Sequence, residues 1–239
     1  MAAIFLLSTA IVRRFFYEIF ARSHFILAYV ALVAIWLHVP SGSVTTTPRL
    51  YLLIAACLNA TVSALRFGRM IYRNVTHKTL LNEAVIESHA DAVIIRIKVS
   101  RPWKYQAGQY IWLCMPEASL TSFFQLHPFM ISGWYHEEND KEVDEVLLLV
   151  QERRGFTADL RHIKNCKRKA IIDGPYGNGL HLESYDTVLL FATGIGIAAQ
   201  LPYVKQLLDG HQKVKTPRIA LFWEIESESK LHINCTVNI

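Results

Sequence analysis

The spacing of apolar and polar positions divides the chain into three textures. The first is nearly unbroken apolar sequence. SHFILAYVALVAIWLHV (23–39) contains no charged residue, and a second run covers about 49–66 and ends in NATVSALR. Each is near the lower length limit for a membrane-crossing helix, so the pattern predicts two spans. From about residue 82 the texture changes to period-two alternation. NEAVIE, AVIIRIKVS, GQYIWLCM, EVLLLVQE and RKAIID each predict a strand, and GFTADLRHI (155–163) predicts a short helix among them. Several short strands with one helical piece predict a small antiparallel barrel. From about 185 the third texture begins. DTVLLFA is a continuous apolar strand, TGIGIA (193–198) a glycine turn, AAQLPYVKQLLDG an amphipathic helix closed by Gly210, and RIALFWEI the next apolar strand. Strand, glycine turn, helix, strand is the opening of a nucleotide-binding α/β sheet. LHINCTVNI then ends the chain with no element assigned to it. RIALFWEI is therefore expected to be an uncovered edge, which is an aggregation liability.

Composition and charge refine this layout. The 239 residues are 52% apolar, but that surplus is concentrated before residue 66. The net charge of +5 does not form a nucleic-acid-binding stripe. Arg13, Arg14 and Arg22 precede the first apolar run, only Arg49 lies between the two, and Arg66, Arg69, Arg73 and Lys78 follow the second. Positive-inside bias then puts 13–22 and everything from 66 onward in the cytosol, with the 40–48 loop outside. MAAIFLLSTAIV has no basic stretch before it and Arg13-Arg14 after it, so it reads as the end of a membrane helix rather than a secretory signal. Cys57, Cys114, Cys166 and Cys235 have neither framework nor zinc spacing, which fits reduced thiols.

The candidate chemistry starts at the histidines. On a helix, fourteen steps of about 100° bring His38 to within about 40° of His24 and roughly 21 Å along the axis. Two imidazoles stacked on one face could each hold a heme; interfacial or simply hydrogen-bonded histidines are the alternative. The glycines of TGIGIA would let backbone amides approach a phosphate at a helix start, or form a plain tight turn. His127-Pro128-Phe129-Met130-Ile131-Ser132 could line an isoalloxazine ring, or be a buried strand with a capping histidine. Arg153-Arg154-Gly155-Phe156-Thr157 suits a pyrophosphate, or is a solvated charge pair. Asp173-Gly174-Pro175-Tyr176-Gly177 reads as a turn joining two domains, and His136-Glu137-Glu138 as a solvated loop. No arrangement for nucleophilic catalysis and no metal-hydrolase cluster is present. Electron transfer is the one chemistry these residues jointly support.

In this order, RRFFYEIFARSHFILAYVALVAIWLH, AGQYIWLCMP, HPFMIS, RRGFTADL, DGPYG, LLFATGIGIAAQLPYVKQLL and RIALFWEIES resemble the ferric reductase and NADPH oxidase family, and among its members the fungal ferric-chelate reductases. The resemblance implies a partial transmembrane heme domain over 1–78, an FAD-binding β-barrel over 79–180 and a partial NADPH-binding α/β domain over 181–239. It implies heme ligation by His24 and His38, and FAD contacts from His127, Pro128, Phe129, Ile131, Ser132, Gly155 and Thr157, with Phe156 in the same segment. It also implies nicotinamide-nucleotide contacts from Gly194, Ile195, Gly196 and Ile197. Electrons would pass from cytosolic NADPH through FAD and heme b to ferric iron outside, in the plasma membrane and in the service of iron uptake. The related readings are a superoxide-generating oxidase or a catalytically silent membrane fragment. Two departures stand out. Met130 occupies a position where the family usually has threonine. The family's second histidine pair and later nucleotide-domain strands have no counterpart, so the resemblance implies further sequence at both ends.

Overall fold

The computed structural model describes residues 17–39, 47–77, 80–89, 92–118, 122, 125–135, 143–153, 155–163, 166–209, 218–224 and 232–238. The expectations for residues 1–12, Arg13, Arg14, Lys78, His136-Glu137-Glu138 and Arg154 lie outside these residues. Chain contacts divide at Arg66 into a unit of Met1–Arg66 and a unit of Phe67–Ile239.

The first unit is helical. α1 runs Tyr17–His38 and α2 runs Thr47–Asn74, the last eight residues of α2, Phe67–Asn74, belonging to the second unit. Of the two membrane spans the apolar runs predict, one qualifies among the described residues. Pro48–Asn74 is long and apolar enough to cross, whereas Ser23–His38 is a shorter apolar helix. Tyr29 donates to Asn59 Oδ1 at 3.4 Å, and Arg49 donates to the Val39 carbonyl at 2.8 Å while lying over the Trp36 ring.

The second unit is built on a seven-stranded antiparallel sheet. Its strands are β1 (Asn82–Ser88), β2 (Ala92–Trp103), β3 (Tyr110–Cys114), β4 (His127–Met130), β5 (Gly133–Tyr135), β6 (Val143–Gln151) and β7 (Lys167–Tyr176). Their spatial order is β4-β3-β7-β1-β2-β6-β5. β4 and β5 form opposite edges of this sheet, yet only Ile131 and Ser132 separate them in sequence. The Ile131 amide bonds to Gln109 O and the Ser132 amide to Leu147 O, one toward each edge. A two-residue link cannot span a flat seven-stranded sheet, so the sheet curls until its edges meet. Alternation fills the interior. Ala84 and Ile86 from β1, Val93, Ile95 and Ile97 from β2, and Val146 and Leu148 from β6 are buried. A one-residue register slip would turn this whole set outward. The short helix α3 (Phe156–His162) adds Phe156 and Leu160 to the same core.

A buried amide ties α2 into this sheet. β1 pairs with β7 only as far as Asn82 opposite Ala170, which leaves the next hydrogen-bonding site on β7, Ile172, without a β1 partner. Asn74, the last residue of α2, fills it. Its Oδ1 accepts from the Ile172 amide and its Nδ2 donates to the Ile172 carbonyl, both at 2.7 Å. Nδ2 also donates to Met70 O, and Oδ1 accepts from Asn82 Nδ2. Asn82 Oδ1 in turn accepts from the Ser100 amide. Both donors and both lone pairs of Asn74 are used, and its burial is therefore fully compensated.

A second sheet follows, ordered β10-β9-β8, with β8 at Thr187–Thr193, β9 at Arg218–Glu224 and β10 at His232–Asn238. β8 and β9 are parallel and joined through helix α4 (Ile197–Asp209), as the third texture predicts. Val188, Leu190 and Ile219 pack with Leu207 of α4. The expected uncovered edge is corrected: β10 pairs antiparallel with β9 along its whole length, from His232 opposite Glu224 to Asn238 opposite Arg218. Here β9 acts as a template, and His232–Asn238, in which apolar and polar residues alternate, satisfies its backbone groups.

Candidate functional site

Two motifs that are distant in sequence meet at the barrel edge. HPFMIS supplies β4 and its link to β5, and GFT supplies the start of α3. The His127 ring stacks on Phe156 with centroids 4.3 Å apart and planes 15° apart, while Phe129 lies 6.2 Å from the same ring. His127 Nε2 is 3.1 Å from Gln125 Oε1, which orients the imidazole. Pro128 is exposed and Phe129 and Met130 are half-buried, so β4 presents an apolar, partly open strip. The proline fits because β4 is an edge strand, where a missing N–H costs no ladder bond.

Two of the expected flavin contacts face elsewhere. The Ile131 side chain is wholly buried in the barrel core. The Ser132 hydroxyl is buried and accepts from the Leu149 amide at 3.1 Å. Both belong to the link that closes the barrel, which turns their side chains inward and leaves only their backbone near the open strip. The Tyr105 hydroxyl donates to Ile131 O at 3.1 Å, and its ring stacks on Trp134 at 4.3 Å. Burial pushes the Tyr105 phenol well above its ordinary range, with a smaller contribution from Tyr203.

Gly155 has φ 77° and ψ −136°, a conformation side chains rarely adopt, and a Cβ there would meet nothing within 4 Å. Its carbonyl accepts from the Ala158 and Asp159 amides. Thr157 Oγ1 is already engaged by the Arg153 amide at 2.8 Å. The open glycine backbone and the O–H of Thr157, whose oxygen accepts from Arg153 while its hydrogen remains to donate, are the features here that could meet a phosphate.

The glycine turn forms a tight helical turn, Gly194–Gly196, between β8 and α4. Gly194 has φ 48°, and a Cβ on either glycine would meet nothing within 4 Å. Trp223 Nε1 donates to Gly194 O at 2.9 Å and fixes the turn from β9. Ile195 is half-buried, and Ile197 is buried as the first core residue of α4, so of the expected nucleotide contacts Ile197 has its backbone rather than its side chain toward the surface. The turn and β4 both touch β6, which brings the two candidate sites to a common strand. DGPYG, expected as a turn between domains, instead ends β7. There Asp173 is buried and accepts from the Tyr176 hydroxyl at 2.6 Å.

Sequence reasoning missed the seam between barrel and α4. Gln206 Oε1 accepts from the Ala107 amide at 2.8 Å, and Lys205 Nζ donates to Trp134 O. Gly108 has φ 88°, and a Cβ on it would lie 2.2 Å from the Tyr203 hydroxyl. A cavity of 330 Å³ opens along this seam, lined by Trp134, Tyr135, Leu147, Leu201 and Leu208. The signal was present in AGQY, since a glycine between β-rich residues marks a close approach.

In the helical unit, α1 carries His24 and His38 on one continuous helix. Among the described residues His24 Nδ1 is buried without a hydrogen-bond partner, and its ring lies beside Phe20 and Phe25. His38 is exposed at the helix end.

Residues 77–179 match the family model described as an FAD-binding domain. The chain is 25% identical over 241 residues to "Ferric reductase transmembrane component 6" of Saccharomyces cerevisiae, covering 97% of this chain and 32% of that protein. "Ferric reductase transmembrane component 3" of the same yeast is 27% identical over 209 residues, covering 84% and 27%. "Probable cell surface ferric reductase kap2" of Aspergillus oryzae is 27% identical over 241 residues, covering 92% and 30%. Over most of its length the chain is similar to these fungal ferric reductases. It spans about a third of the length of the curated relatives it matches. Among solved structures, an NADH-dependent reduced ferredoxin-NADP oxidoreductase is similar at 22% identity with a TM-score of 0.48, covering 64% of this chain and 51% of that one.

The residues of this chain fit a flavin nucleotide. The half-open aromatic strip of β4, the bare backbone at Gly155 and the matched domain coincide in one place. The orphaned imidazole nitrogen of His24, set among aromatic rings, fits a metal-porphyrin environment.

Proposed function

We propose that the chain is part of a flavin-dependent electron-transfer oxidoreductase that takes reducing equivalents from cytosolic NADPH and delivers them across a membrane to ferric chelates for iron uptake. The observation that carries this reading is the meeting of β4 with Gly155–Thr157 at His127 and Phe156, within the stretch matched as an FAD-binding domain. The proposed organisation is 1–78 as transmembrane heme domain, 79–180 as FAD barrel and 181–239 as NADPH-binding domain.

A flavin held there would supply hydride acceptance and single-electron release, the chemistry needed between a nicotinamide donor and a one-electron acceptor. The chain's own residues supply place and exclusion. Pro128, Phe129 and Met130 give the ring an apolar floor. Gly155 admits the phosphates to backbone amides at the start of α3, and Gly194 and Gly196 do the same for the nicotinamide nucleotide at the start of α4. Trp223 keeps the second turn from collapsing. His24 and His38, two levels on one helix, would hold heme b, which supplies one-electron relay stations. The membrane concerned is proposed to be the plasma membrane, with residues 66–239 in the cytosol, consistent with the basic residues after the second apolar run.

The test is His24→Ala in membrane vesicles carrying the full chain. Transfer across the membrane should be lost while NADPH-driven reduction of a soluble dye continues. If both activities fall together at equal protein level, the division of labour between the histidine helix and the barrel is wrong.

A further inference from the structure

The foot of α2 gathers basic side chains that the flavin reading leaves unused. Arg69 and Arg73 come from the helix, and Arg101 and Lys104 from the end of β2 and the residue after it. These two segments lie side by side. The Arg101 guanidinium is 3.9 Å from the Tyr72 ring centroid and donates to Val75 O at 3.4 Å. Arg73 donates to Arg101 O at 3.3 Å and lies 5.2 Å over the Trp103 ring. Arg69 donates to Pro175 O at 3.0 Å and covers Tyr176 at 5.2 Å. Three guanidiniums are thus held in fixed positions by aromatic faces and backbone carbonyls. Among the described residues neither Arg69 nor Arg101 pairs with a carboxylate, and Arg101 Nε and the Trp103 indole N–H have no acceptor. Lys104 and Arg69 are exposed.

The depth of this patch follows from the helix. Pro48–Asn74 is 27 residues, about 40 Å at ~1.5 Å per residue, while a hydrocarbon core of ~30 Å needs only about 20. The surplus puts the last two turns of α2, with Arg69, Tyr72 and Arg73, at headgroup level. Arg101, Trp103 and Lys104 are held beside those turns. The cytosolic leaflet is the anionic one, and basic side chains near it gain about fivefold in binding each.

We propose that this patch, joining the end of α2 to the barrel strand β2, binds the headgroups of acidic phospholipids. The proposal rests on the membrane reading given above. Its chemistry is charge-assisted hydrogen bonding from guanidinium and ammonium groups to phosphate and carboxylate oxygens, with Tyr72 and Trp103 at the interface level.

The test uses the full chain reconstituted in nanodiscs of phosphatidylcholine alone, and of phosphatidylcholine mixed with phosphatidylserine, with hydrogen exchange followed over residues 99–104. Exchange should be about fivefold slower in the serine-containing discs, and the difference should vanish at high salt and in the Arg101→Gln/Lys104→Gln variant. Equal exchange in the two discs would overturn the proposal, as would an undiminished lipid effect in the variant. Equal slowing by inorganic phosphate in phosphatidylcholine discs would also overturn it, by making the site a free-anion site. Failure of the chain to co-purify with either disc would overturn the membrane reading and the proposal together.

Discussion

Tyr105 shows how a single side chain holds the barrel edge in place. Its hydroxyl serves the carbonyl of Ile131, in the two-residue link that brings the edges together, and its ring covers Trp134. Burial raises its pKa, so the folded chain keeps the proton to higher pH than the unfolded chain does. The associated stability is complete below about pH 10, where the unfolded phenol is still neutral, and drains away as pH rises through the folded pKa. Melting temperature followed from pH 8 upward should therefore fall above about pH 10. Tyr105→Phe should cost about 1 kcal/mol at neutral pH and flatten part of that alkaline decline. At Gly155 a side chain would meet no atom, so Gly155→Ala isolates backbone strain from collision. A loss of about 1–2 kcal/mol is expected from the positive φ alone, measurable as a lowered denaturant midpoint. An unchanged midpoint would mean that the turn relaxes. Residue identity announced the glycines but not the hydroxyls. Ser132 and Thr157 each accept from a nearby amide, which fixes their oxygens in place, because a buried or turn-forming backbone takes the nearest acceptor.

At the scale of elements, strands with strict alternation were readable from the residues. AVIIRIKVS places Val93, Ile95, Ile97 and Val99 inward, as its spacing predicts. HINCTVN of β10 likewise carries a period-two alternation in its own residues. Two strands lack a local signal: β4 contains Pro128 and spans four residues, β5 spans three, and each is a strand because of what lies beside it. The same holds for Asn74. It reads as the polar end of a membrane helix, but its amide completes a ladder with a residue 98 positions later. Replacing Asn74 by alanine would leave the Ile172 amide and carbonyl unpaired in a buried setting. The expected cost is about 2–4 kcal/mol, seen as roughly hundredfold faster hydrogen exchange of the Ile172 amide. Exchange unchanged from wild type would show that water takes over the site without penalty.

At the scale of the whole molecule, three textures in the sequence became helices, a curled antiparallel sheet and a parallel pair with its crossover helix. The order of these parts was legible because each has its own period. Their seams were not. The seam between barrel and α4 depends on Gln206 meeting Ala107 and on a glycine yielding space to Tyr203, contacts separated by about a hundred residues that no local pattern encodes. The functional account needs these seams, because NADPH and flavin can exchange a hydride only if the turn at Gly194 and the strip at Phe129 stay at fixed separation on β6. The most direct test of that account is a flavin-retention measurement on the full chain. The chain is purified in detergent, incubated with FAD, freed of excess and scanned in the visible before and after NADPH. An equimolar amount of retained FAD, bleached by NADPH and lost in Phe129→Ala, is the predicted result. A folded chain that retains no flavin would contradict it.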